Sequence, residues 1–335
     1  MRLTDAAVVA AIFLVAQQAA PPATLASVKR STATYDSYLT GNAADVTRKT
    51  TGGLVLAGGG TDVPDASRWL IAHAGGGDVV VIRASGADGY NGFMMGLGPA
   101  DSVESIVFKS REASSDPEII RTLEHAEAVF LAGGDQGNYI KYWKDTPLED
   151  TLNVLAKRGV PIGGTSAGLA VLGQFGFAAL NDGITSEAAL ADPFSDKITI
   201  ERDFLAMPHM TGIITDSHFV ERDRMGRTLV FLARLVHDKW TPRARAIAID
   251  SKTAVLVEAD GTAVVVGSGP AYFLETTAPA TLLKAQTPVS IAGINAYRVK
   301  AGATFDLTTW TGTGGTAYVL SIDAGQMKSS NGSVY

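Results

Sequence analysis

Three short apolar runs that each close on glycines constrain this chain more than any other feature. Leu54-Val55-Leu56-Ala57 stops at Gly58-Gly59-Gly60, Ala128-Val129-Phe130-Leu131-Ala132 at Gly133-Gly134, and Val160-Pro161-Ile162 at Gly163-Gly164. Runs this short and uniformly apolar predict strands buried on both faces. Segments of helical spacing lie between them, over 65–74, 117–127 and 148–157, with further strands over 78–84 and 102–108. Pro117 suits a helix first turn, where a missing N–H costs nothing. The pattern is that of an α/β fold built on a parallel sheet covered on both sides. In such a sheet ligands bind outside the carboxyl ends of the strands. The glycine-bearing strand ends should therefore gather on one edge and form the site.

The rest of the composition narrows the chemistry. A hydrophobic content of 46% over 335 residues supports a sizeable core, in one large domain or two ordinary ones. A net charge of −6 without a Lys/Arg run leaves no footprint for nucleic acid. The chain has no cysteine, which excludes disulfides, thiolate zinc sites and a cysteine nucleophile. Its five histidines, at 73, 125, 209, 218 and 237, are scattered without the i,i+4 spacing of a zinc site, so neither metal nor cofactor is expected.

Residues 6–16 read AAVVAAIFLVA, an apolar stretch too short to span a bilayer; Arg2 precedes it and small residues follow through Ala26. This is the layout of a secretory signal peptide over 1–26. It predicts an exported protein, secreted or periplasmic, without membrane contact in its mature form. Residues 27–51 are polar and rich in Ser and Thr, and read as a linker or surface arm. An α/β domain follows over 52–275, and a β-rich extension over 276–335 packs on the same domain. Strands are expected over 246–257, 263–266, 271–274, 291–299 and 317–322.

Gly164 and Gly168 flank Ser166 at minus two and plus two, the G-x-S-x-G spacing of a nucleophile elbow. Such a turn lifts the hydroxyl above the sheet edge, and the amide of Ala167 then faces the place where an oxyanion forms. His218 is the candidate base, because it follows a strand and precedes a helix expected over 220–236. His73 and His125 fall within helices, His209 in an irregular insertion, and His237 at a helix end where a cation is favoured anyway. Gly133-Gly134-Asp135-Gln136 supplies a candidate second oxyanion amide. Asp135 and Gln136 add polar groups suited to a substrate amide or ammonium. Arg222, Arg224 and Arg227 open the helix after His218, with Glu221 and Asp223 interleaved. That pattern fits a solvated charged face, and it also fits bidentate recognition of a carboxylate.

Gly133-Gly134-Asp135-Gln136, Gly163-Gly164-Thr165-Ser166-Ala167-Gly168 and Asp216-Ser217-His218-Phe219, with Arg222, Arg224, Met225, Gly226 and Arg227, together resemble the cyanophycinase and aspartyl dipeptidase family of serine peptidases. The resemblance runs from about residue 54 to 274. It implies a flavodoxin-like, doubly wound and mostly parallel sheet related to the class I glutamine amidotransferases. It also implies a homodimer without metal, acting on aspartyl or isoaspartyl peptides such as the β-linked aspartyl-arginine units of cyanophycin. By the same resemblance Ser166 is the nucleophile, His218 the general base, and Gly134 and Ala167 the oxyanion donors. Asp135, Gln136, Asp216, Ser217 and the three arginines then fall in the substrate pocket.

The chain departs from the family twice. Ser217 replaces the usual Gln, and Ser251 stands in Ile249-Asp250-Ser251-Lys252-Thr253-Ala254 where the family carries the Glu of its catalytic triad. Asp250 is adjacent, but neighbouring side chains on a strand point to opposite faces. The third catalytic residue is therefore Ser251, Asp250 or another acid. Two alternative functions use the same residues: an esterase-type serine hydrolase, and a binding protein whose catalysis is weakened by Ser251.

Overall fold

A computed structural model describes residues 26–335. The signal peptide expected at 1–26 lies outside them but for its last residue. The chain enters as a hairpin of β1 (Val28–Ser31) and β2 (Tyr35–Gly41). There follow β3 (Leu54–Ala57), α1 (Pro64–His73), β4 (Asp78–Arg83), α2 (Gly89–Met95) and β5 (Ser102–Phe108). Next come α3 (Pro117–Glu124), β6 (Ala128–Leu131), α4 (Gln136–Trp143), α5 (Pro147–Lys157), β7 (Ile162–Thr165) and the short α6 (Ala167–Ala170). The second half contains β8 (Phe175–Phe177), α7 (Ser186–Ala191), β9 (Ile200–Arg202), β10 (Ile213–Asp216), α8 (Met225–His237), β11 (Ala244–Ile249) and β12 (Thr253–Val257). It ends with β13 (Thr262–Gly267), β14 (Ala271–Thr276), β15 (Ile291–Val299), β16 (Thr304–Asp306), β17 (Thr311–Thr313), β18 (Thr316–Asp323) and β19 (Gln326–Ser329).

The glycine-closed runs become neighbours in a parallel core ordered β5-β4-β6-β7-β3. β3, β6 and β7 are buried along their whole length, so each Val, Leu or Ile contributes about 1.5–3 kcal/mol of burial. The covering helices obey their local signals. α5 starts at Pro147, carries Glu149 and Asp150 in its first turn, and buries Leu148, Leu152 and Leu155. Antiparallel strands extend the core on both edges to eleven, with β2 and β1 beyond β5, and β12, β13, β16 and β17 beyond β3. A second, eight-stranded sheet runs β19-β18-β15-β14-β11-β10-β8-β9. Strands from the last sixty residues thus enter both sheets.

Three local expectations change. Residues 28–41, read as part of a linker or arm, extend the first sheet: β2 pairs with β5 from Tyr35↔Phe108 to Gly41↔Ser102, and Tyr35 is 2% exposed. The burial of Tyr35, Ser37 and Thr40 is masked in the sequence by their polar groups.

The single strand expected over 246–257 breaks at Asp250-Ser251-Lys252. There the chain leaves the second sheet and joins the first, with Lys252 at φ 59°. Finally, α8 begins at Met225, five residues later than expected, because Asp250 captures the backbone N–H groups of Val220 and Glu221 at 2.9 and 3.0 Å. Arg222 and Arg224 consequently precede the helix, and only Arg227 lies in its first turn.

Candidate active site

Ser166 sits at the end of β7 with φ 53° and ψ −111°, a strained backbone that few non-glycine residues adopt. The flanking glycines permit it. A Cβ on Gly168 would stand 2.0 Å from the Leu131 carbonyl oxygen, and one on Gly164 would stand 2.7 Å from the Gly168 backbone. The turn is therefore closed by two backbone approaches that no side chain tolerates. Ser166 N–H donates to the Ala57 carbonyl at 3.1 Å and ties the turn to β3.

His218 reaches this hydroxyl from the other sheet. It follows β10, is 6% exposed, and places Nε2 2.9 Å from Ser166 Oγ. Its N–H donates to the Gly58 carbonyl at 2.7 Å, which locks the second sheet's loop onto the glycine turn after β3. The candidate base thus lies beside the candidate nucleophile, although the two are carried by different sheets. Burial lowers its pKa below the ordinary imidazole value, and the nearby Arg222 and Arg224 charges act in the same sense against the pull of Glu221. At neutral pH the imidazole is therefore uncharged and able to take a proton.

The oxyanion candidates lie alongside. Ala167 follows Ser166 directly, and the loop after β6 runs close by, since a Cβ on Gly133 would lie 3.5 Å from Ser166 Cβ. Gly134 and Asp135 are exposed at this edge. Asp135 caps α4 by accepting from the Gly137 N–H at 2.8 Å, and Gln136 Nε2 donates to the Phe177 carbonyl at 3.4 Å.

The residues expected to grip substrate divide into two groups. Asp216 is 3% exposed and faces inward. It accepts from Arg227 Nε at 2.9 Å, from Thr228 Oγ1 at 2.8 Å, from the Ser217 N–H at 2.9 Å and from Arg224 Nη1 at 3.3 Å. Burial, the largest single influence, would raise its pKa, but the Arg227 and Arg224 guanidiniums and the Thr228 hydroxyl together hold the carboxyl below its ordinary range. Arg227, 4% exposed, gives its guanidinium to Asp216 and lies against the rings of Phe177 and Phe231. This pair braces α8 against β10 and does not line a pocket, contrary to the expectation for both residues.

Arg224 is partly buried and donates to the Ser217 carbonyl at 2.8 Å and to Ser217 Oγ at 3.2 Å. Burial pushes its pKa down to about 10, with Asp216 opposing. Ser217 is itself buried, while Arg222 is exposed.

The far side of the imidazole has two neighbours. Ser251 Oγ lies 2.8 Å from His218 Nδ1, and Glu221 Oε2 lies 3.0 Å from the same atom. Ser251 Oγ also donates to Glu221 Oε2. Asp250, the other candidate acid, turns to the loop amides already described. Sequence reasoning placed Glu221 on a solvated face and missed this contact. The available signal was its position three residues after His218. Gly59 was read only as a strand end, yet it lies against both Ser166 and His218. Among the described residues no group of acidic and histidine side chains is arranged to hold a metal ion.

Residues 103–265 match the family model described as Peptidase family S51. Over 179 residues the chain is 30% identical to a cyanophycinase from Trichormus variabilis, a match covering 53% of this chain and 55% of that protein. Over 230 residues it is 29% identical to a cyanophycinase from Synechococcus elongatus, covering 65% of this chain and 66% of the other. The chain thus spans about half to two thirds of the length of these curated relatives. A crystal structure of a peptidase from an acI-B1 Actinobacterium shares the fold. Its TM-score is 0.52 at 16% identity, over 77% of this chain and 98% of that one.

Proposed function

We propose that this chain, whose residues 103–265 match the model of peptidase family S51, is an exported serine exopeptidase of that family that cleaves aspartyl or isoaspartyl peptide bonds through an acyl-enzyme on Ser166. The observation that carries the reading is the 2.9 Å approach of His218 Nε2 to Ser166 Oγ. In the first step Nε2 takes the hydroxyl proton as Oγ attacks the scissile carbonyl, and the N–H groups of Ala167 and Gly134 receive the oxyanion. The imidazolium then protonates the leaving amine. Water, deprotonated by the same nitrogen, releases the acyl group and regenerates Ser166.

The cationic rim supports a substrate with a carboxylate near the scissile bond. Arg222 is exposed and Arg224 partly so, both within electrostatic reach of His218. Asp135 and Gln136 border the same edge and suit the substrate's amine or amide. The relatives named cyanophycinase favour β-linked aspartyl-arginine chains as the substrate class, and a homodimer is the assembly we propose.

Incubation with cyanophycin and with a panel of α- and β-linked aspartyl dipeptides, read by mass spectrometry, tests the proposal. Release of aspartyl-containing products, abolished by Ser166→Ala, is the expected result. Turnover of simple aryl esters with every aspartyl peptide left intact would overturn it.

A further inference from the structure

We propose that Glu221, carried on the same loop as His218, is the positioning carboxylate for this imidazole, with the Ser251 hydroxyl joining the two. The inference rests on the serine-hydrolase reading above and concerns how its base is held.

Proton bookkeeping at Nδ1 supports it. Glu221 Oε2 can only accept when ionised, and Ser251 has a single hydroxyl proton, which it gives to that carboxylate. Ser251 Oγ then offers only lone pairs to Nδ1, 2.8 Å away, and Glu221 Oε2, at 3.0 Å, does the same. Both neighbours are therefore acceptors, and the proton of the neutral imidazole belongs on Nδ1. That leaves Nε2 unprotonated and facing Ser166 Oγ, which is the tautomer a general base needs. The Glu221 carboxyl is held below its ordinary range by the Ser251 hydroxyl and by His218, so it is ionised where the base works.

Asp250 makes the arrangement rigid. Its Oδ1 accepts from the backbone N–H groups of Val220 and Glu221, so the Glu221 backbone cannot swing away without breaking a bond to that carboxylate. Asp250 is thereby committed to the loop, and the hydrogen-bond partners of the imidazole Nδ1 are Ser251 and Glu221 instead. His218 itself holds φ 44°, a left-handed conformation that the surrounding bonds must maintain. The Glu221 side chain is 56% exposed. Solvent screening makes its charge less effective than that of a buried acid.

The test measures the rate at which a fluorophosphonate modifies Ser166, which requires no knowledge of the natural substrate. Glu221→Gln should slow modification by about 10- to 100-fold, less than the roughly 10⁴-fold lost when a buried triad carboxylate becomes an amide. Its unfolding temperature should match the original. Proton NMR should show a downfield His218 Nδ1–H resonance that moves upfield in Glu221→Gln. The double variant Glu221→Gln/Ser251→Glu returns a carboxylate from the other neighbour and should recover at least ten-fold over Glu221→Gln alone. Modification of Glu221→Gln at the original rate overturns the inference, as does a double variant that stays as slow as the single one. A folded wild-type protein whose Ser166 resists the reagent defeats the serine-hydrolase reading itself and takes this inference with it.

Discussion

A Cβ on Gly59 would stand 2.4 Å from Nε2 of His218 and 3.0 Å from Cβ of Ser166. The glycine turn after β3 is thus the wall against which Ser166 and His218 meet. Gly59 also holds φ 95°, which L side chains rarely adopt. We expect Gly59→Ala to cut fluorophosphonate modification of Ser166 by at least about 100-fold, with a stability loss of about 1–2 kcal/mol from the backbone conformation alone. Labelling kinetics beside a urea titration would separate the effects, and unchanged labelling would contradict the packing.

The pH dependence follows from the neutral base. Burial, with help from Arg222 and Arg224, holds the His218 pKa below its ordinary 6.5. The imidazole therefore stays unprotonated further into acid than a free one. The acid limb of Ser166 modification should fall below pH 6.5, and an inflection at or above that value would contradict the burial argument. The sign for stability agrees, because the unfolded chain binds this proton more readily. The contribution of His218 is complete above the unfolded value and is lost as pH falls through the folded one.

Asp216 and Arg227 answer to each other inside the protein. Removing one charge leaves its partner buried and uncompensated. Asp216→Asn should therefore destabilise the fold by about 3–5 kcal/mol in a denaturant titration. A variant of normal stability but raised KM would return Asp216 to the substrate pocket.

Arg222 should behave in the opposite way. Exposed and ahead of α8, it can be changed to Ala at a cost within about 0.5 kcal/mol. Loss of its charge should raise KM for acidic substrates several-fold and leave kcat nearly unchanged, as expected for uniform binding. Steady-state kinetics on acidic and neutral peptides would check this, and equal effects on both would refute a carboxylate contact.

The N-terminal hairpin should carry stability as well. Tyr35 is 2% exposed and lies in a strand that covers the edge of the parallel core. Tyr35→Ala should cost about 3 kcal/mol, the low end for a large buried ring. A free arm over residues 27–51 would make the same change silent in thermal unfolding.

The parallel core and the serine elbow were legible without coordinates, because both depend on local chemistry. Leu54–Ala57 and Ala128–Leu131 announce buried strands by uninterrupted apolar character, and Gly164 and Gly168 announce a turn that excludes Cβ atoms. The approach of His218 to Ser166 was legible from its place at the end of a strand. The partners of its imidazole were not. Asp216 and Arg227 looked like pocket residues, since charge near a reactive histidine reads the same whether it faces solvent or another charge. Only the folded chain decides that they face each other.

Glu221 was hidden for the converse reason, as an acid among alternating charges that acquires a role only when the chain breaks at Asp250 and crosses between sheets. Periodicity reports which face of an element is apolar, so it identifies strands, helices and tight turns. It carries no record of which loop from which sheet will approach a given nitrogen. That is settled by long-range packing of β10 and β11 against the turn after β3, where backbone contacts such as His218 N–H to Gly58 at 2.7 Å set the distances.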